Sequence, residues 1–318
     1  FQAEDGIRAA QESRGLGDVY KRQVFKNMKR NIYIFSIIFG FFVTLISINK
    51  SSASCTITGG VIDNGFLTDA GNNFSCFTAP DLYEIVAYEM YLCSSAPTAP
   101  NVTTAADLTN CTKVWENTSG NTISVTQGGS FDMSGSISRP ANGTYTHGVM
   151  LLNNTFGITL SAQFSASMTG SDGTTGAYCA SKEVDTTFRA QPEGGSIIPS
   201  GGTSTCADSA PTAGKTTETL LTFDFSAFNA TAVANNINGT NSDVTGYLID
   251  SDSKLASEGS EVNQLLGVVS FDPSITFTDT TTSLDMSMNV GEGMTLANNG
   301  SNQLFIGSGP FQSLISVD

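Results

Sequence analysis

The chain has 318 residues, and its 14 Lys and Arg stand against 29 Asp and Glu, a formal net charge of −15 at pH 7. Eight of the cations precede residue 54, so residues 54–318 carry six cations against 25 carboxylates, a net charge of −19. A surface so short of cations repels nucleic-acid phosphates and anionic membranes. It leaves divalent cations, basic partners or a purely solubilising role for the charge.

The first 23 residues show no apolar period of either the helical or the strand kind. Gln2 to Arg8, QAEDGIR, and Glu12 to Gln23, ESRGLGDVYKRQ, resemble the conceptual translation of a sequencing adapter at the ends of assembled environmental transcripts. Ala9 departs from it, since that translation more often has Asp there. The resemblance implies that residues 1–27 are not native, the alternative being a natural disordered tail. From Met28 the order is that of a secretory signal peptide over residues 28–53. Lys29 and Arg30 precede the apolar run Ile32 to Ile48, and Ser51 and Ala53 occupy the small-residue positions for cleavage before Ser54. The apolar run is short for a spanning helix. No membrane span is therefore expected after cleavage. Lipidation of Cys55 lacks its aliphatic residue, with Ser52 in its place, and Gly40-Phe41-Phe42 lacks the acidic residue of a prepilin processing site.

Beyond residue 54, Ser, Thr, Asn and Gly dominate, and these are mediocre helix formers suited to sheet surfaces and turns. Leu82 to Cys93 is apolar on both faces and predicts a central strand, while Ile123–Val125 is a shorter one. Gly143 to Leu152 is expected to form a hairpin with the strand from Phe156, turning at Asn153-Asn154. Thr155 to Met168 alternates strictly: Phe156, Ile158, Leu160, Ala162, Phe164, Ala166 and Met168 are apolar. That period predicts one strand with one buried face. Residues 182–217 hold Pro192, Gly194-Gly195, Pro199, Gly201-Gly202, Pro211 and Gly214 and read as a linker between domains over 54–181 and 218–318, or as an excursion from one sandwich using strands on both sides. Alternation returns at Leu221, Phe223, Phe225 and Ala227, at Ile275–Phe277, at Leu284 to Val290 and at Ile315–Val317. Short helices are expected at Ala230–Asn236 and Lys254–Leu266, the second weakened by Gly259. The tail from Gln303 to Val317 can pair within the fold or with a neighbouring subunit. Asn64-Gly65, Asp172-Gly173 and similar turns between runs predict an all-β fold, an antiparallel sandwich of the immunoglobulin-like or jelly-roll-like kind.

All six cysteines lie behind the export signal, which predicts disulfides; Cys55–Cys76, Cys93–Cys111 and Cys179–Cys206 are the expected pairs among 15 connectivities. Zinc needs ligands that a single histidine and no C-x2-C spacing do not supply. That histidine, His147, alternates with Tyr145, Val149 and Leu151 and reads as a half-buried strand residue; Trp115 reads as core. Glu84 and Glu89 have odd spacing, which on a regular strand puts them on opposite faces, against a glycosidase pair. Asp224 reads as solvated. Calcium candidates are Asp63-Asn64 with Asp69, and Asp250 with Asp252, although neither fits the EF-hand pattern. Nine N-x-[ST] sequons, at Asn73, Asn101, Asn110, Asn117, Asn142, Asn153, Asn229, Asn238 and Asn299, matter in a host that glycosylates them. No catalytic motif stands out. The expected function is a secreted or cell-surface structural or adhesive protein, without a cofactor unless calcium binds. The alternatives are a carbohydrate-binding module or secreted glycan-active enzyme, and a pilin-like subunit assembling by strand addition. Partners are surface glycans, proteins or further copies of the chain; the periplasm is a second location.

Overall fold

The structure, a computed structural model, describes residues 53–67, 75–126, 131, 133–188, 202–221, 237–238, 242–298 and 303–318. The strands expected at Leu221–Ala227 and the helix at Ala230–Asn236 fall on or against residues outside this set. In chain order the strands are β1 (Ala53–Ser54), β2 (Ile57–Thr58), β3 (Val61–Ile62), β4 (Ser75–Thr78), β5 (Leu82–Cys93), β6 (Cys111–Val125) and β7 (Ser136–Ile137). There follow β8 (Gly143–Thr159), β9 (Ser161–Thr169), β10 (Thr175–Ser181), β11 (Val184–Phe188), β12 (Ser204–Ala207), β13 (Thr216–Leu220) and β14 (Ile237–Asn238). The last are β15 (Ser242–Ile249), β16 (Gln264–Phe277), β17 (Leu284–Asn289), β18 (Met294–Asn298), β19 (Leu304–Ser308) and β20 (Gln312–Val317). Helical structure among the described residues is confined to single 3-10 turns at Asn64–Leu67 and Gly259–Glu261.

These strands form four sheets. The largest runs β14-β15-β16-β8-β5-β6-β7, with β13 and β11 attached to the far end of β8. The others run β12-β10-β9-β3-β2, β1-β4-β18-β19 and β17-β20. One core draws on all four: Ile85, Leu152 and Phe156 from the large sheet meet Phe164 and Cys179, Leu296 and Ile306, and Met288. The fold is all-β and sandwich-like. Burial of alternate residues supplies its main driving force.

The long alternating run is where chain and expectation part. Phe156, Ile158, Leu160, Phe164 and Met168 are all buried in one phase, yet β8 ends just before Leu160 and the chain enters a different sheet as β9. Ser181 closes the break by accepting from the Leu160 N–H at 2.9 Å, and Asp81 accepts from the Ser161 N–H at 2.6 Å. Asn153-Asn154 is no hairpin turn. β8 continues through it, with a register shift against β5, and the buried Asn154 donates its amide to the Leu220 carbonyl at 2.9 Å. Lys254–Leu266 is not a helix: Leu255 bridges Ile249 beside β15, and the chain enters β16 at Gln264.

Residues 182–217 are likewise no domain boundary. β11 and β13 pair in parallel, β13 pairs with β8, and β12 pairs with β10, while β16 from the C-terminal part lies on β8. Residues 49–318 form a single unit, the one-sandwich alternative. Disulfides join Cys55–Cys76, Cys93–Cys111 and Cys179–Cys206, the nearest-neighbour pairs. The last two link residues directly opposite on paired strands. Such bonds persist in oxidising compartments. No helix of the described residues is long and apolar enough to cross a membrane.

The C-terminal tail pairs inside the fold: β19 lies on β18 and β20 on β17. β19 is an edge strand whose outward backbone groups are taken by side chains. Ser204 Oγ donates to the Leu304 carbonyl at 2.5 Å, the Ile306 N–H donates to Thr203 Oγ1 at 2.9 Å, and the Ser308 N–H donates to Glu218 Oε2 at 2.6 Å. A sheet edge filled this way offers no ladder for another strand.

Candidate functional site

The site is built on β5 and the face of the large sheet that points away from the main core. Tyr83, Ile85 and Ala87 are buried in one phase and Met90 and Leu92 in the other. The slip is a bulge, seen as register shifts around Ala87 and Glu89 against both β6 and β8. Extra residues in one strand re-aim the side chains beyond them. Glu84 and Glu89 therefore share the outer face, which corrects the expectation from their odd spacing. They remain apart. At ~3.3 Å per residue their positions lie roughly 15 Å from each other, beyond the ~5–9.5 Å of a glycosidase pair. Each also has its own cation: Lys215 Nζ is 2.8 Å from Glu84 and Lys113 Nζ is 2.6 Å from Glu89.

The outer face reads in rows across the strands. Tyr247 of β15 lies opposite Leu266 of β16, then come Leu151 of β8, Glu89 of β5 and Glu116 of β6. The next row holds Thr245, Val268, Val149, Tyr91 and Lys113. Asn153 donates to the Tyr88 hydroxyl at 3.2 Å beside them. Lys113 is the hub. It reaches Glu89 and, at 2.9 Å, Glu116, and it lies 5.6 Å from the centre of the Tyr91 ring. Its bonds to Glu89 and Glu116 push the ammonium pKa up. Partial burial works against the Glu89 carboxylate, but bonds from Lys113 and the Tyr91 hydroxyl outweigh it and hold the pKa below the usual range. Burial and the bond to Glu89 push Tyr91 up to about 12. At neutral pH the cluster thus holds a charged Lys113 and Glu89 against the neutral Tyr91 ring.

One end of the face is roofed. Residues 94–110 leave β5 and return to β6 as a narrow arm closed at its base by Cys93–Cys111. Its rungs are Ser94 to Asn110, Thr98 to Asp107 and Asn101 to Thr104. Ala106 and Leu108 of the arm pack on Cys93, Val149, Ile249 and Leu266. At the tip the Asn101 carbonyl accepts from the Leu255 N–H at 3.1 Å, so the arm crosses the face to the β15 side. Tyr88, Glu89, Glu116 and Asn153 lie beyond it, half-buried.

The remaining candidates fall elsewhere. His147 is half-buried on the outer face in the row of Cys93 and Ser270, with Nδ1 2.9 Å from Thr146 Oγ1, and burial lowers its pKa. Trp115 is 3% exposed in the core. Asp63 accepts from the Gly65 N–H at 2.9 Å; Asp69 and Asp224 lie outside the described residues. Asp250 accepts from the Asp252 and Lys254 N–H groups, each at 2.9 Å, and Asp252 pairs with Lys254 at 3.0 Å, so this turn spends its carboxylates on its own chain. No group of three metal-ligating side chains gathers among the described residues. A groove of about 240 Å3 between Phe271–Thr276 and β20 has one carboxylate at its rim, Asp272.

Glu218 escaped the sequence reading. It is 0% exposed, Oε2 accepts from the Ser308 N–H and hydroxyl, and Oε1 has no hydrogen-bond partner. Burial raises its pKa, and it in turn helps to raise that of the buried Tyr83. The bulge of β5 did leave a signal, a phase slip between Ala87 and Met90, hidden because that strand is apolar on both faces. Compared with known proteins, the chain matches no family model, and no curated protein or solved structure matches it significantly.

Proposed function

We propose that the chain is a secreted or surface-associated β-sandwich that acts by adhesion, through the outer face of its large sheet, and not by catalysis. The observation that carries this reading is that face. It presents Tyr88, Tyr91 and Tyr247 beside Lys113, which is paired with both Glu89 and Glu116, and beside an arm that holds one border in place. Half-buried tyrosines offer large rigid contact area with a polar tip, a good basis for recognition. The three disulfides support export, since such bonds suit an oxidising exterior. The test is retention on intact cells and on a glycan array by the disulfide-bonded protein, beside a Tyr88→Ala/Tyr247→Ala variant. Binding that the variant loses at unchanged melting temperature is the expected result. Binding by neither protein ends the proposal, and binding by both moves the surface elsewhere.

The tyrosines also favour a second reading, a carbohydrate-binding module or a secreted glycan-active enzyme. Release of reducing sugar from an array-positive glycan, lost in Glu89→Gln, would move the protein into the enzyme class.

A further inference from the structure

We infer that Asn101, at the tip of the arm over the outer sheet face, is an acceptor site for an N-linked oligosaccharide. It stands in the sequon Asn101-Val102-Thr103. Asn101 Oδ1 accepts from the Thr103 hydroxyl at 2.8 Å and from the Thr103 and Thr104 N–H groups at 2.9 Å each. The carboxamide oxygen is thus fully engaged by the turn, and the Thr103 hydroxyl that defines the sequon is already bonded to the acceptor amide. Nδ2 takes no part in any of these bonds and the residue is exposed. Its neighbour Val102 is 47% exposed, so the side chains of the tip face solvent although the Asn101 carbonyl is held by the Leu255 N–H.

Three other described sequons spend the nitrogen that a glycan would need. Asn117 donates Nδ2 to the Ser134 carbonyl at 2.9 Å, and Asn153 donates it to Tyr88 at 3.2 Å. Asn142 donates it to Asp279 at 2.5 Å. Asn117 and Asn153 are also only half-exposed on strands, where a bulky, strongly hydrated substituent has no room. Asn110 is exposed but lies at the arm's base, with the sequon's middle residue, Cys111, locked in a disulfide.

The donor is an oligosaccharide joined through its anomeric carbon to a lipid diphosphate. Asn101 Nδ2 forms the new bond to that carbon, the carbon–oxygen bond to the diphosphate breaks, and the amide proton is released as the lipid diphosphate leaves. A glycan so placed extends from the arm's outer end and leaves Tyr88 and Glu89 open at the other border.

The test is to secrete the chain from an insect or mammalian cell line, treat it with N-glycosidase in heavy-oxygen water and map the labelled aspartates by peptide mass spectrometry. Label at residue 101 is expected, lost in Thr103→Ala and retained in Thr103→Ser. The serine variant shows that any loss is not a folding failure. A secreted protein with residue 101 unlabelled overturns the inference, as does label confined to Asn117 or Asn153.

Discussion

At the residue scale, the informative side chain is Glu218. A carboxyl in the core without a cation is costly when ionised, so burial raises its pKa. Its contribution to stability is then greatest below the unfolded value, about 4.3, and declines as the pH rises through the higher folded value. Glu218→Gln mimics the neutral acid at every pH. The variant is expected to melt higher than the parent at pH 8 and to match it near pH 4, as thermal unfolding across that range will show. A parent that gains stability on the variant toward alkaline pH would mean that Glu218 is ionised and paired. Nothing in Thr216-Thr217-Glu218-Thr219-Leu220 announces this role. A charged residue at an alternate strand position reads as solvated until the partner, Ser308, is brought to it from 90 residues away.

At the element scale, the phase of burial was legible and the points where strands bend were not. Leu82–Cys93 was readable to its ends, being apolar but for Glu84 and Glu89. The break at Leu160 was invisible, because the alternation keeps its phase as the chain changes sheets; only the waiting acceptors, Ser181 and Asp81, reveal it. In β6, Gly120 permits a bulge against β5. It has a φ of 81°, and a Cβ there would stand 2.6 Å from Val86 Cγ1 and 3.0 Å from Tyr88 Cε1. Both the left-handed backbone and the close approach demand glycine. Gly120→Ala should cost about 2 kcal/mol in urea unfolding, and should displace Tyr88 from its place on the outer face. An alanine variant as stable as the parent would show that the bulge is not held by this residue.

At the scale of the molecule, the sandwich was legible in its period and its cysteines, but its unity was not. Glycine and proline between 182 and 217 look like a linker, while the strands that cancel that reading, β11 to β13, are short and gain their partners only through distant β8 and β10. The same logic governs the tail. Phe311 packs its ring 5.6 Å from Tyr83 and 5.8 Å from Phe156, and β20 supplies the whole partner ladder of β17. Aromatic contacts of this kind are worth ~0.5–1.5 kcal/mol each beyond their burial, so removing residues 311–318 uncovers core and orphans a strand together. The truncated chain is expected to melt well below the parent and to expose apolar surface to a hydrophobic dye. If it instead remains a monomer with unchanged melting, the tail is dispensable to the fold. Loss of higher assemblies alone, at unchanged melting, would assign β20 to strand exchange between copies, because the edge of β19 is already filled by Thr203, Ser204 and Glu218.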